Sequence, residues 1–208
     1  SRLQQGWHHD HHGAAARDII QRDSDVFVHQ SVSTPCLSAI RKAEGIYVED
    51  LQGRRYMDFH GNNVHHIGYG HPRLKAAISR QMDELPFAPR RFTCEPAVEL
   101  AEKITAIAPG DLSKALFTTG GSDAIEVALK LARAKTGRFK TLSFWDAFHG
   151  AGFGAASVGG EQLFRGGMIG PLLPGAEHVA PFACYRCPYG HQVDSEGQPD
   201  LDACQMAC

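Results

Sequence analysis

The sequence lacks long hydrophobic runs, blocks of like charge and internal repeats, and each absence excludes a class of protein. No apolar stretch is long enough to cross a membrane, and residues 1–7 contain no apolar core of the signal-peptide kind. Lys and Arg (21) nearly balance Asp and Glu (23), so the net charge is −2 and no basic block indicates a nucleic-acid partner. We therefore expect a cytoplasmic protein without membrane or nucleic-acid partners, whose six cysteines are reduced.

The order of helix and strand patterns predicts an α/β fold. The 208 residues, 43% of them hydrophobic, suffice for one large domain or two small ones. A short apolar strand over 114–118, a helix over 122–136 and a strand over 139–144 make a βαβ unit, which favours a parallel sheet. The remaining predicted elements are helices over 14–22, 72–84 and 95–108 and a hairpin over 46–59.

A glycine loop, Thr119-Gly120-Gly121, joins the strand to the helix of this unit. Glycine lets the backbone approach an anion closely, and the first amides of a helix have no partner inside it. Such a loop can therefore bind phosphate, and Ser122 could either add a hydroxyl donor or cap the helix. No Gly-Lys-Ser/Thr follows, which excludes a P-loop, and the third glycine of the dinucleotide motif is missing.

The stretch around this loop resembles the class III aminotransferase family. Residues 116–133, LFTTGGSDAIEVALKLAR, are similar to its Gly-Ser-Glu-Ala helix, and residues 144–150, FWDAFHG, are similar to its aromatic-His-Gly element. Upstream, Asp58-Phe59 and Gly68-Tyr69-Gly70-His71-Pro72 resemble two further motifs in the family's order. The resemblance covers most of residues 40–160.

The resemblance implies a pyridoxal-phosphate (PLP) enzyme of fold type I, an incomplete three-layer α/β/α arrangement with a mostly parallel sheet. Residues 1–70 would contribute to the small domain and to the interface of a homodimer. Residues 71–208 would form the first part of the PLP-binding large domain. The family's Schiff-base lysine is expected beyond Cys208, and none of the seven lysines present has its sequence context, so we expect residues 1–208 alone to be inactive.

The resemblance also assigns the cofactor site. It implies that Gly120, Gly121 and Ser122 bind the PLP phosphate, that Phe148 lies flat on the pyridine ring and that His149 stands beside it. Two positions depart from the family: Asp123 replaces the usual Glu, and Phe148 replaces the usual Tyr and so lacks its hydroxyl. Phe148 and His149 could instead be ordinary core residues.

The substrate is expected to be a small amine. Residues 59–65, 85–93 and 144–151 resemble a branch of the family that contains an ammonia-lyase for hydroxylated aminoethylphosphonates, and transamination of an ω-amino acid or amine is the alternative. A phosphonate needs a cationic partner, for which Arg90 and Arg91 are candidates, and Arg165 is a weaker one. Asn62 is a further candidate for substrate binding, and it lies in a loop that resembles the family element near the dimer interface.

The cysteines offer a third, non-enzymatic interpretation. A CxxC pair, Cys184 and Cys187, precedes a CxxxC pair, Cys204 and Cys208. Four thiolates at such spacing could bind structural zinc and stabilise a binding module. The second pair departs from the usual zinc spacing, and no metal site is expected.

Overall fold

The computed structural model describes residues 12–29, 36–61, 64–89, 91–166, 169–182, 187, 193–198, 200 and 202. The chain forms two compact units, Ser1–Cys94 and Glu95–Cys208. The assignment of residues 1–70 to a small domain and of residues 71–208 to a PLP-binding domain stays a prediction. Within the described ranges no helix has both the length and the apolar character that crossing a bilayer requires.

In its described residues, the first unit contains an antiparallel sheet and two helices. Its elements are α1 (Ala14–Val26), β1 (Ile40–Glu44), β2 (Tyr47–Asp50), β3 (Arg55–Met57) and α2 (Pro72–Glu84). The predicted hairpin is confirmed as β2 and β3, and β1 pairs with the other side of β2. The sequence did not predict β1, because IRKAE is largely exposed and lacks a clear apolar–polar alternation. Helix α1 continues four residues beyond the predicted end.

Asp50 organises the turn between β2 and β3. Its carboxylate is fully buried and accepts hydrogen bonds from the Gln52 amide (2.9 Å), the Arg54 amide (2.9 Å) and Nε (2.7 Å), and the Tyr56 hydroxyl (3.0 Å). Burial raises the pKa of Asp50, but these donors outweigh it and hold the pKa at about 2. Gly53 completes the turn with a φ of +79°, a conformation that glycine adopts readily.

The second unit contains a parallel strand pair. Its elements are α3 (Glu95–Ile107), α4 (Gly121–Thr136), β4 (Thr141–Phe144), α5 (Phe153–Val158), a 3₁₀ turn (Gln162–Phe164) and β5 (Ala176–Val179). Strands β4 and β5 run parallel, with Thr141 opposite Ala176 and Phe144 opposite Val179. Helix α5 is buried except for Phe153, and it contacts α4 and both strands. The parallel pair confirms the expected α/β class.

The predicted strand over 114–118 is wrong. These residues form no regular secondary structure, no described strand pairs with them, and Leu116 is 67% exposed. An isolated segment cannot satisfy the hydrogen bonds of a strand, so an apolar pattern alone does not produce one. The parallel pairing of the unit is instead made by β4 and β5, which are joined through α5. The predicted end of the 122–136 helix is confirmed, since Gly137 terminates α4 with a φ of +68°.

Candidate functional site

The glycine loop leads directly into the first turn of α4. Gly120 is extended and Gly121 is the first helical residue. The Ala124 amide makes the first helical hydrogen bond, to the Gly120 carbonyl at 3.0 Å, so the amides of residues 121–123 precede it. Gly120 has no side chain that could accept them. Because Ser122 is the second residue of the helix, the interpretation of Ser122 as its cap is wrong, and the three amides can serve an anion.

The space beside the loop is open. A Cβ atom placed on Gly120 or Gly121 would meet no described atom within 4 Å. Thr118 Oγ1 donates to the Gly120 carbonyl at 3.1 Å, and Thr119 Oγ1 donates to the carboxylate of Asp123. The loop thus offers amide donors to a ligand that needs close backbone approach.

Ser122 also contacts the segment that follows Phe148 and His149. The Ala151 amide donates to Ser122 Oγ at 3.1 Å. Since the hydroxyl oxygen accepts this bond, its hydrogen can still be donated to an anion. Gly150 has a φ of +129°, and a Cβ there would lie 2.8 Å from Ser122 Cα. The tertiary structure therefore brings the glycine loop and the aromatic-His-Gly element together through Ser122.

Phe148 and His149 occupy different surroundings. The Phe148 side chain is 56% exposed, and its ring centroid lies 4.6 Å from that of Phe164. His149 is half-buried, with Nε2 3.4 Å from Ser143 Oγ. Phe148 keeps enough exposed ring surface to cover a flat ligand. The cofactor-binding roles of both residues stay predictions.

Glu126 belongs to this region although the sequence reasoning did not select it. Its Oε1 accepts a hydrogen bond from the Ala155 amide at 2.9 Å. Glu126 is four residues after Ser122, so both side chains project from the same face of α4. That spacing was visible in the sequence. What it contacts was not, because Ala155 is 29 residues away along the chain.

The structure describes one of the three predicted substrate residues. Asn62 and Arg90 lie outside the described residues, and Arg91 is exposed in the first unit. Their predicted roles stay predictions.

Arg165 binds backbone carbonyls at the end of α5. Its Nη1 donates to the carbonyls of Ser157 (2.7 Å) and Ala156 (3.3 Å), and it also contacts the Gly159 carbonyl. The guanidinium also lies over the ring of Trp145, with Cζ 5.4 Å from its centroid. The last carbonyls of a helix have no partner inside it, and Arg165 satisfies those of α5. The suggestion of Arg165 as an anion ligand stays a prediction, although its Nη1 already donates to these carbonyls.

The cysteine interpretation gains no support. Cys184, Cys204 and Cys208 lie outside the described residues, and Cys187 is half-buried. Among the residues that the structure describes, no group of three or more His, Cys, Asp or Glu side chains could hold a metal ion.

In the first unit, the Asp58-Phe59 and Gly68–Pro72 motifs meet. Asp58 Oδ1 accepts the amides of His60 and Gly61 at 2.9 Å each, and Oδ2 accepts the Tyr69 hydroxyl at 2.5 Å. These hydrogen bonds lower the pKa of Asp58 to about 2, and the Tyr69 hydroxyl contributes more than the two amides. These residues and His65 line a cavity of about 330 Å³. Asp58 thus joins the Asp58-Phe59 motif to Tyr69 of the Gly68–Pro72 motif, although the two are separated in sequence.

Comparisons with known proteins agree with these features. The sequence matches the family described as aminotransferase class-III over residues 28–202. It is 51% identical over 204 residues to an (R)-1-hydroxy-2-aminoethylphosphonate ammonia-lyase of Vibrio splendidus, covering 97% of this chain and 42% of that protein. It is 36% identical over 188 residues to an adenosylmethionine-8-amino-7-oxononanoate aminotransferase of Nitratidesulfovibrio vulgaris, covering 85% of this chain and 32% of that protein.

A solved structure shows the same fold. The taurine:2-oxoglutarate aminotransferase of Bifidobacterium kashiwanohense, in complex with PLP and glutamate, superposes with a TM-score of 0.79 at 27% identity, covering 92% of this chain and 43% of that one. The chain thus spans less than half the length of these relatives. The expected PLP-dependent transferase fold of type I is confirmed for the part of the fold that the chain covers. The chain belongs to the class III aminotransferase family.

Proposed function

We propose that this protein is a PLP-dependent enzyme that acts on a small amine. The observation that carries the proposal is the start of α4, where three amides precede the first helical bond beside open space and the Ser122 hydroxyl. A dianionic phosphate needs several such donors, and the absent side chains at Gly120 and Gly121 let it approach them. The residues present therefore fit the cofactor that the solved relative contains.

In this proposal each part of the site has a separate task. Gly120, Gly121 and Ser122 hold the phosphate, and the half-exposed ring of Phe148 covers the pyridine ring and excludes water from that face. His149, held near Ser143, borders the ring. PLP, when bound, would supply an electron sink that stabilises negative charge on the substrate carbon that bears the amine. The chain's own contribution is to bind and orient that group.

The reaction we favour is elimination of ammonia from a hydroxylated aminoethylphosphonate. A proton leaves the carbon that bears the amine, and the hydroxyl group leaves the neighbouring carbon as water. Water then replaces nitrogen on the first carbon, which releases ammonia and phosphonoacetaldehyde, so the atoms balance without an oxidant. The supporting observation is sequence identity, which is 51% to the ammonia-lyase and 36% to the aminotransferase above. Transamination of a small amine is the second candidate, and it is supported by the structural similarity to the taurine aminotransferase.

One assay separates the two reactions. The complete protein, saturated with PLP, is incubated with (R)-1-hydroxy-2-aminoethylphosphonate, with and without a 2-oxo acid. Elimination releases ammonia at the same rate in both mixtures. Transamination consumes the amine only when the 2-oxo acid is present and converts that acid into an amino acid. Absence of PLP absorbance in the purified complete protein after incubation with PLP would contradict the cofactor proposal itself.

The proposal extends to assembly, location and the substrate anion. We expect a cytoplasmic homodimer, and light scattering of the complete protein tests the assembly: an active monomer would contradict it. We also expect Arg90 or Arg91, with Asn62, to contact the substrate. Arginine suits a phosphonate because its planar fork makes paired charge-assisted hydrogen bonds.

A further inference from the structure

We infer that Glu126 is a positioning residue. Together with Ser122 it holds segment 150–155 on α4, and it thereby fixes Phe148 and His149 beside the glycine loop. The inference rests on the proposed function, because it gives Glu126 a part in forming the PLP site.

Two hydrogen bonds of matching spacing carry the inference. The Ala151 amide donates to Ser122 Oγ at 3.1 Å, and the Ala155 amide donates to Glu126 Oε1 at 2.9 Å. The acceptors are four residues apart on α4, and the donors are four residues apart on the segment. Side chains four apart on a helix are neighbours, so one face of α4 makes both contacts. Ala155 is the third residue of α5, whose first amides have no partner inside that helix.

The glycines of the segment allow this close approach. Gly150, Gly152 and Gly154 occupy every second position. A Cβ on Gly150 would lie 2.8 Å from Ser122 Cα. A Cβ on Gly152 would lie 2.7 Å from Glu126 Oε1, and one on Gly154 would lie 2.9 Å from Glu126 Cδ. Real Cβ atoms do not tolerate such distances, so the alternating glycines keep the side of the segment that faces α4 free of side chains.

The anchored segment begins immediately after the residues proposed to border the cofactor. Ala151 is three residues after Phe148, and three residues of chain span at most about 11 Å. Anchoring Ala151 and Ala155 therefore restricts where Phe148 can stand. Ser122 serves both the proposed phosphate site and this anchor, whereas Glu126 serves the anchor. Glu126 is thus the residue through which positioning can be changed without removing a phosphate donor.

The test uses the complete protein and three variants. Glu126→Ala removes the acceptor, and Glu126→Gln keeps an acceptor oxygen without the charge. Glu102→Ala is the matched control on an exposed position of α3. Hydrogen–deuterium exchange of peptides covering residues 150–158 is measured without PLP. The dissociation constant of PLP and the visible circular dichroism of the bound cofactor are then measured in each variant.

For Glu126→Ala we expect exchange in residues 150–158 to rise about tenfold, the dissociation constant of PLP to rise about tenfold and the dichroic signal to weaken. Glu126→Gln should restore all three readouts to within about threefold of the wild-type values. Glu102→Ala should leave them unchanged. Should Glu126→Ala not fold, Gly154→Ala displaces the carboxylate from the other side and should give the same changes.

Two results would overturn the inference. Unchanged exchange and dichroism in Glu126→Ala would show that the carboxylate does not hold the segment. Equal impairment in Glu126→Gln and Glu126→Ala would show that charge, rather than the acceptor, matters. Failure of the wild-type protein to bind PLP would instead contradict the proposed function, and the exchange measurement would still decide whether Glu126 holds the segment.

Discussion

Replacing Gly121 by Ala should change stability and cofactor binding in opposite directions. Gly121 is the first residue of α4, where the backbone is helical, and an added Cβ meets no described atom within 4 Å. Without PLP the methyl group therefore causes no clash, and it reduces the conformational entropy of the unfolded chain. We expect the protein without PLP to become more stable by about 0.4–1 kcal/mol. With PLP bound, the same methyl group occupies space that the phosphate needs.

The expected loss in PLP affinity is at least about tenfold, or about 1.4 kcal/mol. Gly137→Ala is the matched control at the other end of the same helix. Gly137 has a φ of +68° and open space around it, so alanine there costs about 1–2 kcal/mol of stability through backbone strain alone. It lies about 16 residues from the loop, so PLP affinity should not change.

Denaturant unfolding without PLP and spectroscopic titration with PLP measure the two quantities on the complete protein. The reasoning predicts a stabilised, weakly binding Gly121→Ala and a destabilised, normally binding Gly137→Ala. Wild-type PLP affinity in Gly121→Ala would show that the loop does not receive the phosphate. A destabilised Gly121→Ala would show that the space beside the loop is filled in the complete protein.

Folding lowers the pKa of Asp58 from 3.8 to about 2, so the stability it contributes is complete above about pH 4 and is lost as the pH falls toward 2. Tyr69→Phe removes the largest cause of that shift, and acid unfolding should begin at a higher pH, as circular dichroism can monitor. Arg165→Ala should lower the free energy of unfolding by about 1–3 kcal/mol, since it exposes the last carbonyls of α5; a higher KM at unchanged thermal stability would speak for an anion site instead. Arg90→Ala or Arg91→Ala should mainly raise KM for the phosphonate, equivalent to about 1.5–3 kcal/mol, and wild-type kinetics in both would exclude the pair.

The sequence alone was enough to identify the family, the α/β class and most of the described helices. Local signals decide these features: apolar spacing of three and four residues predicts helices, and Gly137 ends α4 because glycine adopts a left-handed backbone readily. The order of several short motifs carried the family resemblance, which the match over residues 28–202 confirms. The glycine loop could be proposed as a phosphate site because its chemistry depends on neighbouring backbone amides.

Only the tertiary structure decided which distant groups meet. An apolar pattern over 114–118 could not show that no described strand pairs with it, because strand formation depends on a partner elsewhere in the chain. From the sequence, Arg165 could be proposed as an anion ligand. Only the fold shows that its guanidinium donates to the carbonyls of α5. The spacing of Ser122 and Glu126 was visible in the sequence. The amides that donate to them could not be identified there, because each lies 29 residues away. Local chemistry follows from sequence, and long-range contacts follow from the packing of elements.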